Sequence, residues 1–200
     1  MSEIIEFKEW ELFFEPVVAF FSSFIAYIAV ANRMTKFDNV ACRFRGNIVP
    51  QVTYREIPIL KYIAEGMPIN ELGFTLETTP PPPPPAASGK SVDTVRLTTY
   101  WCQQMVGHSY ELAYPIIEKQ FGNDRKIQWP SELQFIYHIR NGCYHGNTFN
   151  IQNNAISTNQ KTIWRGADIK YIHNGKLVVG DFVLPADLLV LLHDLQNILT

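Results

Sequence analysis

Gln134-Phe-Ile-Tyr-His-Ile-Arg-Asn-Gly-Cys-Tyr-His-Gly-Asn147 is the stretch around which the chain is organised. It begins as an apolar helical run and ends in Arg140, Asn141, Gly142, Cys143, Tyr144 and His145, so a guanidinium, an amide and an imidazole fall close together. Upstream, Ser131-Glu-Leu-Gln134 has the capping-box form that opens a helix. Leu133, Ile136, Tyr137 and Ile139 occupy one side of that helix and Phe135 the other, which places it at the centre of the fold. A guanidinium grips phosphate through a planar, permanently charged fork. An imidazole exchanges a proton near neutral pH. The two suffice for metal-free RNA cleavage, in which the 2′-hydroxyl attacks the adjacent phosphorus.

Helix geometry constrains how they could act. Arg140 and His145 lie roughly 140° apart on a straight helix, whereas Asn141 and His145, at i and i+4, share a face. A common site requires either a break in the helix, for which Gly142 and Gly146 provide the freedom, or a second chain. The alternative is structural: Arg140 pairs with a carboxylate, and His145 caps the helix C-terminus, where the dipole favours a cation.

The Arg-Asn-x-x-x-His pattern at the end of an amphipathic helix resembles the signature of the HEPN superfamily. Its family pattern is Arg, four to six residues, then His, often with a polar residue directly after the Arg. Arg140, Asn141 and His145 fill those three positions. The resemblance covers one helix and its exit. It implies a small helical bundle and a metal-independent endoribonuclease of toxin–antitoxin or antiviral defence, with two motifs facing each other in a homodimer. In that reading Arg140, Asn141 and His145 are catalytic. Tyr144 and His138 are substrate-binding candidates, for stacking or support. An antitoxin or defence-system protein is a further possible partner.

Composition sets the bounds. Two hundred residues, 46% hydrophobic and 18% charged, hold one domain with a sizeable core. The formal charge of −2 excludes a polyanion-binding protein of the histone kind, so any RNA contact is local. Cys42, Cys102 and Cys143 are widely spaced and odd in number. Neither a disulfide framework nor a zinc site is expected, and a reducing cytoplasm fits. No cofactor or metal is called for. Cys143 reads as a small buried filler rather than a nucleophile.

In chain order, Glu3, Glu6, Glu9, Glu11 and Glu15 alternate with apolar residues and read as a helical opening without the basic region of a signal peptide. Residues 16–32 carry no charge but fall short of the roughly 20 residues that span a bilayer. They read as a core helix or dimer face. From Asn32 to Glu77 periodicity is lost. This is the most basic third of the chain, with Arg33, Lys36, Arg43, Arg45, Arg55 and Lys61. Phe37, Phe44 and Tyr54 are interleaved, as a single-stranded nucleic-acid groove would use them. A loop-rich connection, with a short helix at 57–63, is the simpler reading.

Six prolines at 80–85 form a polyproline II spacer in an exposed linker at 78–90. A long helix starts near Ser91 and stops at Phe121, kinked or split by Pro115. It carries His108, which as a lone His is a surface or structural residue. After an Asn/Thr-rich loop to Asn159, Ile169–Ile172 and Leu177–Val179 read as a hairpin around Asn174-Gly175. Pro185 opens the last helix, with Leu188, Leu191, Leu192, Leu195, Ile198 and Leu199 as its buried stripe.

The expected architecture is mainly α: a single domain over 1–200, built as a HEPN-like bundle of four or five helices with one small β-hairpin before the C-terminal helix. The expected function is a cytoplasmic, metal-independent endoribonuclease. The alternative is a non-catalytic module that binds nucleotides or a protein through the same bundle. Because residues 80–85 lack an apolar face, replacing them with a Gly/Ser linker of equal length is expected to leave the melting temperature within a few degrees. A large drop in a thermal melt would show that the run packs as a strut.

Overall fold

The computed structural model describes residues 3–31, 42–54, 65–79, 94–123, 126–151 and 162–200. The expected helix at 57–63, the proline run, the residues Arg33, Lys36, Phe37, Arg55 and Lys61, and the loop at 152–161 lie outside them.

The first turn of sequence is a strand, not a helix. Ile5 and Phe7 are buried while Glu6 and Lys8 are half-exposed, so the acidic–apolar alternation has period two. This strand, β1 (Glu3–Lys8), pairs antiparallel with β4 (Glu71–Glu77), placing Ile5 opposite Phe74 and Phe7 opposite Leu72. β4 in turn pairs with β3 (Gln51–Tyr54), and β3 with β2 (Arg43–Arg45). The sheet order is β1-β4-β3-β2. The basic region expected to be loop-rich therefore supplies three strands. Phe44 and Tyr54 turn into the core, while Arg43 and Arg45 stay exposed.

Among the described residues there are four helices and six strands in two antiparallel sheets. The chain is mixed α/β, which overturns the expected helical bundle. The physical reason is that short strands of two to seven residues give too few repeats for a period-two signal to stand out.

Helix α1 (Phe14–Ala31) covers the sheet. Its Phe21 ring sits 4.2 Å from Tyr54, 5.6 Å from Phe74 and 5.9 Å from Phe44, centroid to centroid. The charge-free stretch is thus a core helix, and among the described residues no helix is long and apolar enough to cross a membrane. α2 (Thr94–Phe121) packs on α1 and runs through Pro115 without splitting. α3 (Ser131–Tyr144) starts one residue earlier than a Ser131 cap would put it. Pro130 is its N-cap, and the Gln134 amide reaches back to the Trp129 carbonyl at 2.8 Å instead of completing a capping box.

A hairpin does precede the last helix, at another place. Ile163–Trp164 (β5) and Ala167–Asp168 (β6) pair around Arg165 and Gly166, whose φ angles are 44° and 84°. The expected strands do not pair with each other. Tyr171–His173 is a 3₁₀ turn, and Leu177 bridges to Thr148. Trp164 Nε1 and the Arg165 guanidinium both bind Asp194, anchoring the hairpin to the last helix.

That helix, α4 (Pro185–Leu199), is buried nearly all round: Leu189 and Val190 are inside as well as the expected leucine stripe. Asp187 in its first turn is fully buried. Its carboxylate accepts the amides of Asn47 (2.7 Å), Ile48 (2.9 Å), Val49 (2.8 Å) and Leu184 (2.9 Å). One side chain thus caps the central helix and holds the β2–β3 turn. Gly46 leaves the necessary space, since a Cβ there would overlap the Asp187 carboxylate. Asp187→Ala strands several buried amides and is expected to lower stability by about 3 kcal/mol or more, read as a shift of the urea midpoint. A loss under about 1 kcal/mol would mean that the turn is held by other contacts.

Candidate functional site

Helices α2 and α3 run antiparallel and cross at a glycine. The Tyr144 hydroxyl lies where a Gly107 Cβ would meet it at 2.8 Å, so only glycine lets the ring lie flat across α2. One helical turn further along this seam is Arg140. Its Nη2 is 2.5 Å from Glu111 Oε1, and its guanidinium stacks on the Tyr144 ring at 4.3 Å and over Tyr110 at 5.3 Å. Its Nη1 donates to Asn141 Oδ1 at 3.3 Å, and its buried Nε has no partner among the described residues. The guanidinium is therefore fixed on both faces.

Asn141 also hydrogen-bonds Tyr137, over whose ring Lys126 Nζ lies at 4.3 Å. Burial alone would raise the Tyr137 phenol, but Asn141, Lys126 and Arg140 outweigh it and bring its pKa below the ordinary value. His138 turns inward, 8% exposed, with its ring edge-on to Tyr137 and its Nε2 lacking a partner among the described residues. Burial and the nearby Lys126 push its pKa down to about 4. Of the two substrate-binding candidates, His138 thus faces inward, and Tyr144, 59% exposed, lies at the surface.

The exit of α3 explains the two glycines differently from the sequence. Gly142 stays helical, and its missing Cβ accommodates the Val178 side chain. The helix does not unwind there. It ends at His145, whose amide bonds the Asn141 and Gly142 carbonyls. Gly146 and Asn147 follow in the left-handed region, with φ of 72° and 63°. The Asn147 side chain then clamps the Val179 amide and carbonyl at 2.9 and 2.8 Å. The exit is rigid.

The chain consequently does not bring Arg140 and His145 to one point. Arg140 faces α2, while the His145 side chain is exposed and has no hydrogen bond or ion pair among the described residues. Two clefts meet at Tyr144. One, of about 740 Å³, lies between the start of α2 and the α3 exit, and includes Arg96, Tyr100, Gln103, Gly146 and Asp181. The other, of about 210 Å³, is lined by Gln103, Gln104, Gly107, His108, Cys143 and Tyr144.

Sequence reasoning passed over Glu111, Gln103 and Gln104, and read His108 as a surface or structural residue. The i, i+4, i+7 spacing of Gln104, His108 and Glu111 on α2 was the available signal. It acquires meaning only once α3 is laid against that face. Cys143 is buried, and burial raises its thiol to about 12, which makes it inert as a nucleophile. Among the described residues no group of three His, Cys, Asp or Glu is placed to hold a metal. Comparison with models of known families, with curated proteins and with solved structures finds no match.

His138 gives the site a pH signature. Its folded pKa near 4 lies below the unfolded value of 6.5. The stability it contributes is present in full above about pH 6.5 and is lost as pH falls towards 4, by roughly 3 kcal/mol at the low end. His138→Gln is expected to flatten the fall in stability between pH 7 and pH 4.5, measured by urea unfolding. An unchanged slope would remove His138 as its source.

Proposed function

We propose that the chain is a metal-independent endoribonuclease acting at the exit of α3. One observation carries this reading: a single helix end fixes a guanidinium, Arg140, and ends in an exposed imidazole, His145, whose chain neighbours Tyr144 and Gly146 line an open cleft of about 740 Å³. The Arg140–Asn141–His145 signature supports it independently of the fold, although the HEPN-like bundle is not what surrounds it. Because the helix stays regular through Tyr144, Arg140 of one chain serves the same phosphate as His145 of a second, in a homodimer.

His145 takes the proton of the 2′-hydroxyl as O2′ bonds to phosphorus. The P–O5′ bond breaks, and the departing oxygen takes a proton from the second chain's imidazole. Arg140 neutralises the equatorial oxygens, with Asn141 steadying the guanidinium. The products are a 2′,3′-cyclic phosphate and a 5′-hydroxyl. Glu111 occupies Arg140 in the free protein and is half-exposed, so an incoming phosphate displaces it towards water. Such an enzyme suits a cytoplasmic toxin–antitoxin or antiviral system in which an antitoxin or other partner protein holds it in check.

The Arg140–Glu111 pair also favours a second reading. A guanidinium already neutralised at 2.5 Å and a His at a helix C-cap both have structural reasons to be there. The second reading is a non-catalytic module that binds a nucleotide or a protein at the same place.

His145→Ala is expected to slow RNA cleavage by about 10²–10⁴-fold and Arg140→Ala by about 10²–10³-fold, with both variants folded. Arg140→Lys keeps the charge but loses the fork, and should cleave poorly. Chelator should leave the rate unchanged, and light scattering should give the mass of two chains. Cleavage that survives both alanine substitutions, or that needs a divalent ion, sinks the nuclease reading. Nucleotide binding without cleavage selects the module.

A further inference from the structure

Cleavage between two chains needs two imidazoles, one to take a proton and one to give one. The His145 of one chain is the base. The proton for the departing oxygen therefore comes from the chain whose Arg140 holds the phosphate. That chain's own His145 is badly placed for it, because α3 stays helical to Tyr144 and leaves it on another face than Arg140. α2 carries another imidazole. His108 is exposed and makes no hydrogen bond or ion pair among the described residues.

Its place follows from the helix repeat. Gln104, His108 and Glu111 fall at i, i+4 and i+7 and so share one face of α2. At the end of that stripe Glu111 holds Arg140 Nη2 at 2.5 Å. His108 stands one turn earlier, about 4.5 Å back along the axis, next to Gly107, on which Tyr144 lies. Tyr144 links the two groups. Its ring carries the Arg140 guanidinium at 4.3 Å, and with His108 it walls the cleft of about 210 Å³. A guanidinium and an imidazole of one chain thus border the same tyrosine, each fixed by a different helix of the seam.

The other groups around this cleft are unsuited to give a proton. The Gln103 and Gln104 amides release none near neutral pH. Cys143 is buried. Tyr144 has its ring under Arg140 and its hydroxyl against Gly107. Glu111, when ionised, only accepts hydrogen bonds. On its other side His108 borders a cavity of about 260 Å³ to which α1 contributes Pro16, Ala19, Phe20 and Ser23, none of them charged.

We infer that His108 is the general acid of the cleavage, acting in the same chain as Arg140 and opposite the His145 of the other chain. The inference rests on the ribonuclease reading and names the second proton-transfer residue of that site. As O2′ bonds to phosphorus, its proton passes to His145. As the P–O5′ bond breaks, the electron pair stays on O5′, which takes a proton from the His108 imidazolium. One proton leaves the RNA and one enters it, so no further reactant is required. Exchange with water restores both imidazoles.

The test uses two RNAs that differ in one atom. The wild-type chain is first used to map a bond that it cuts in a fluorescently labelled, unstructured RNA. That RNA is then made with sulfur in place of O5′ at the same bond. A thiolate leaves without a proton, so a missing general acid no longer matters. His108→Ala should cut the oxygen RNA about 10²–10⁴-fold more slowly, and the sulfur RNA within about threefold of the wild-type rate. His145→Ala, which lacks the base, should be slow on both. His108 is exposed on a helix, so an unchanged melting temperature is expected and shows that the variant is folded. Mixing variants then reads which chain each group serves. His108→Ala mixed equally with His145→Ala should recover about a quarter of the wild-type rate, since about half of the dimers are mixed and each of those has one complete site. His108→Ala mixed with Arg140→Ala should recover none.

His108→Ala that cuts the oxygen RNA at the wild-type rate overturns the inference. So does an equal loss on both RNAs, or recovery in the second mixture. In each of these cases the wild-type chain still cleaves, and the nuclease reading stands. A wild-type chain that cuts no RNA overturns the nuclease reading and takes the role of His108 with it.

Discussion

The buried carboxylate of Asp187 is the constraint on which the rest of the structure depends. It sits at the start of the most buried helix and accepts four backbone amides, three of them from the turn between β2 and β3. Burial alone raises the pKa of such a group, while each amide works against the rise. The contact ties sheet and central helix together across about 140 positions of sequence. With it in place, the inner face of the sheet, the aromatic cluster around Phe21 and the all-round apolar surface of α4 close on one core. Gly46 is the small residue that lets the turn approach.

The α2–α3 seam follows the same rule of close approach. α2 and α3 can cross where they do because Gly107 lets Tyr144 lie on the helix. Gly142 does the same against Val178 on the other side. Held from two sides, α3 cannot unwind at its end. The same packing that makes the exit rigid keeps Arg140 and His145 on different faces. A site that used both would be assembled between two chains rather than by bending one.

Charge is arranged locally rather than globally. With a formal net charge of −2 the chain has no general attraction for polyanions. What it has are individual guanidiniums in different states of commitment. Arg165 is bound by Asp194 and Glu3, Arg140 is bound by Glu111 and stacked between tyrosines, and Arg43 stands exposed at the rim of an apolar pit. Arginines already matched by carboxylates organise the fold.

The sequence by itself determined the elements with long periods: the charge-free core helix, the helix ending at Phe121, the helix that delivers Arg140 and His145, and the last helix opened by Pro185. It also placed Tyr144 at the motif's edge and marked Arg140 as needing a carboxylate or a phosphate. Tertiary structure alone decided the fold class. Three of the four strands of the main sheet fall in a stretch whose two-residue period is too short and interrupted to read, and β1 imitates a helix start because Glu3 and Glu6 are also at helical spacing. Only the assembled fold showed that Arg140's carboxylate is Glu111, that His138 faces inward, and that Gly142 serves packing rather than a break. Those facts depend on which helix lies against which. That choice is made by side-chain volume at Gly46, Gly107 and Gly142, where a missing Cβ leaves no pattern in the chain but permits contact between parts far apart in it.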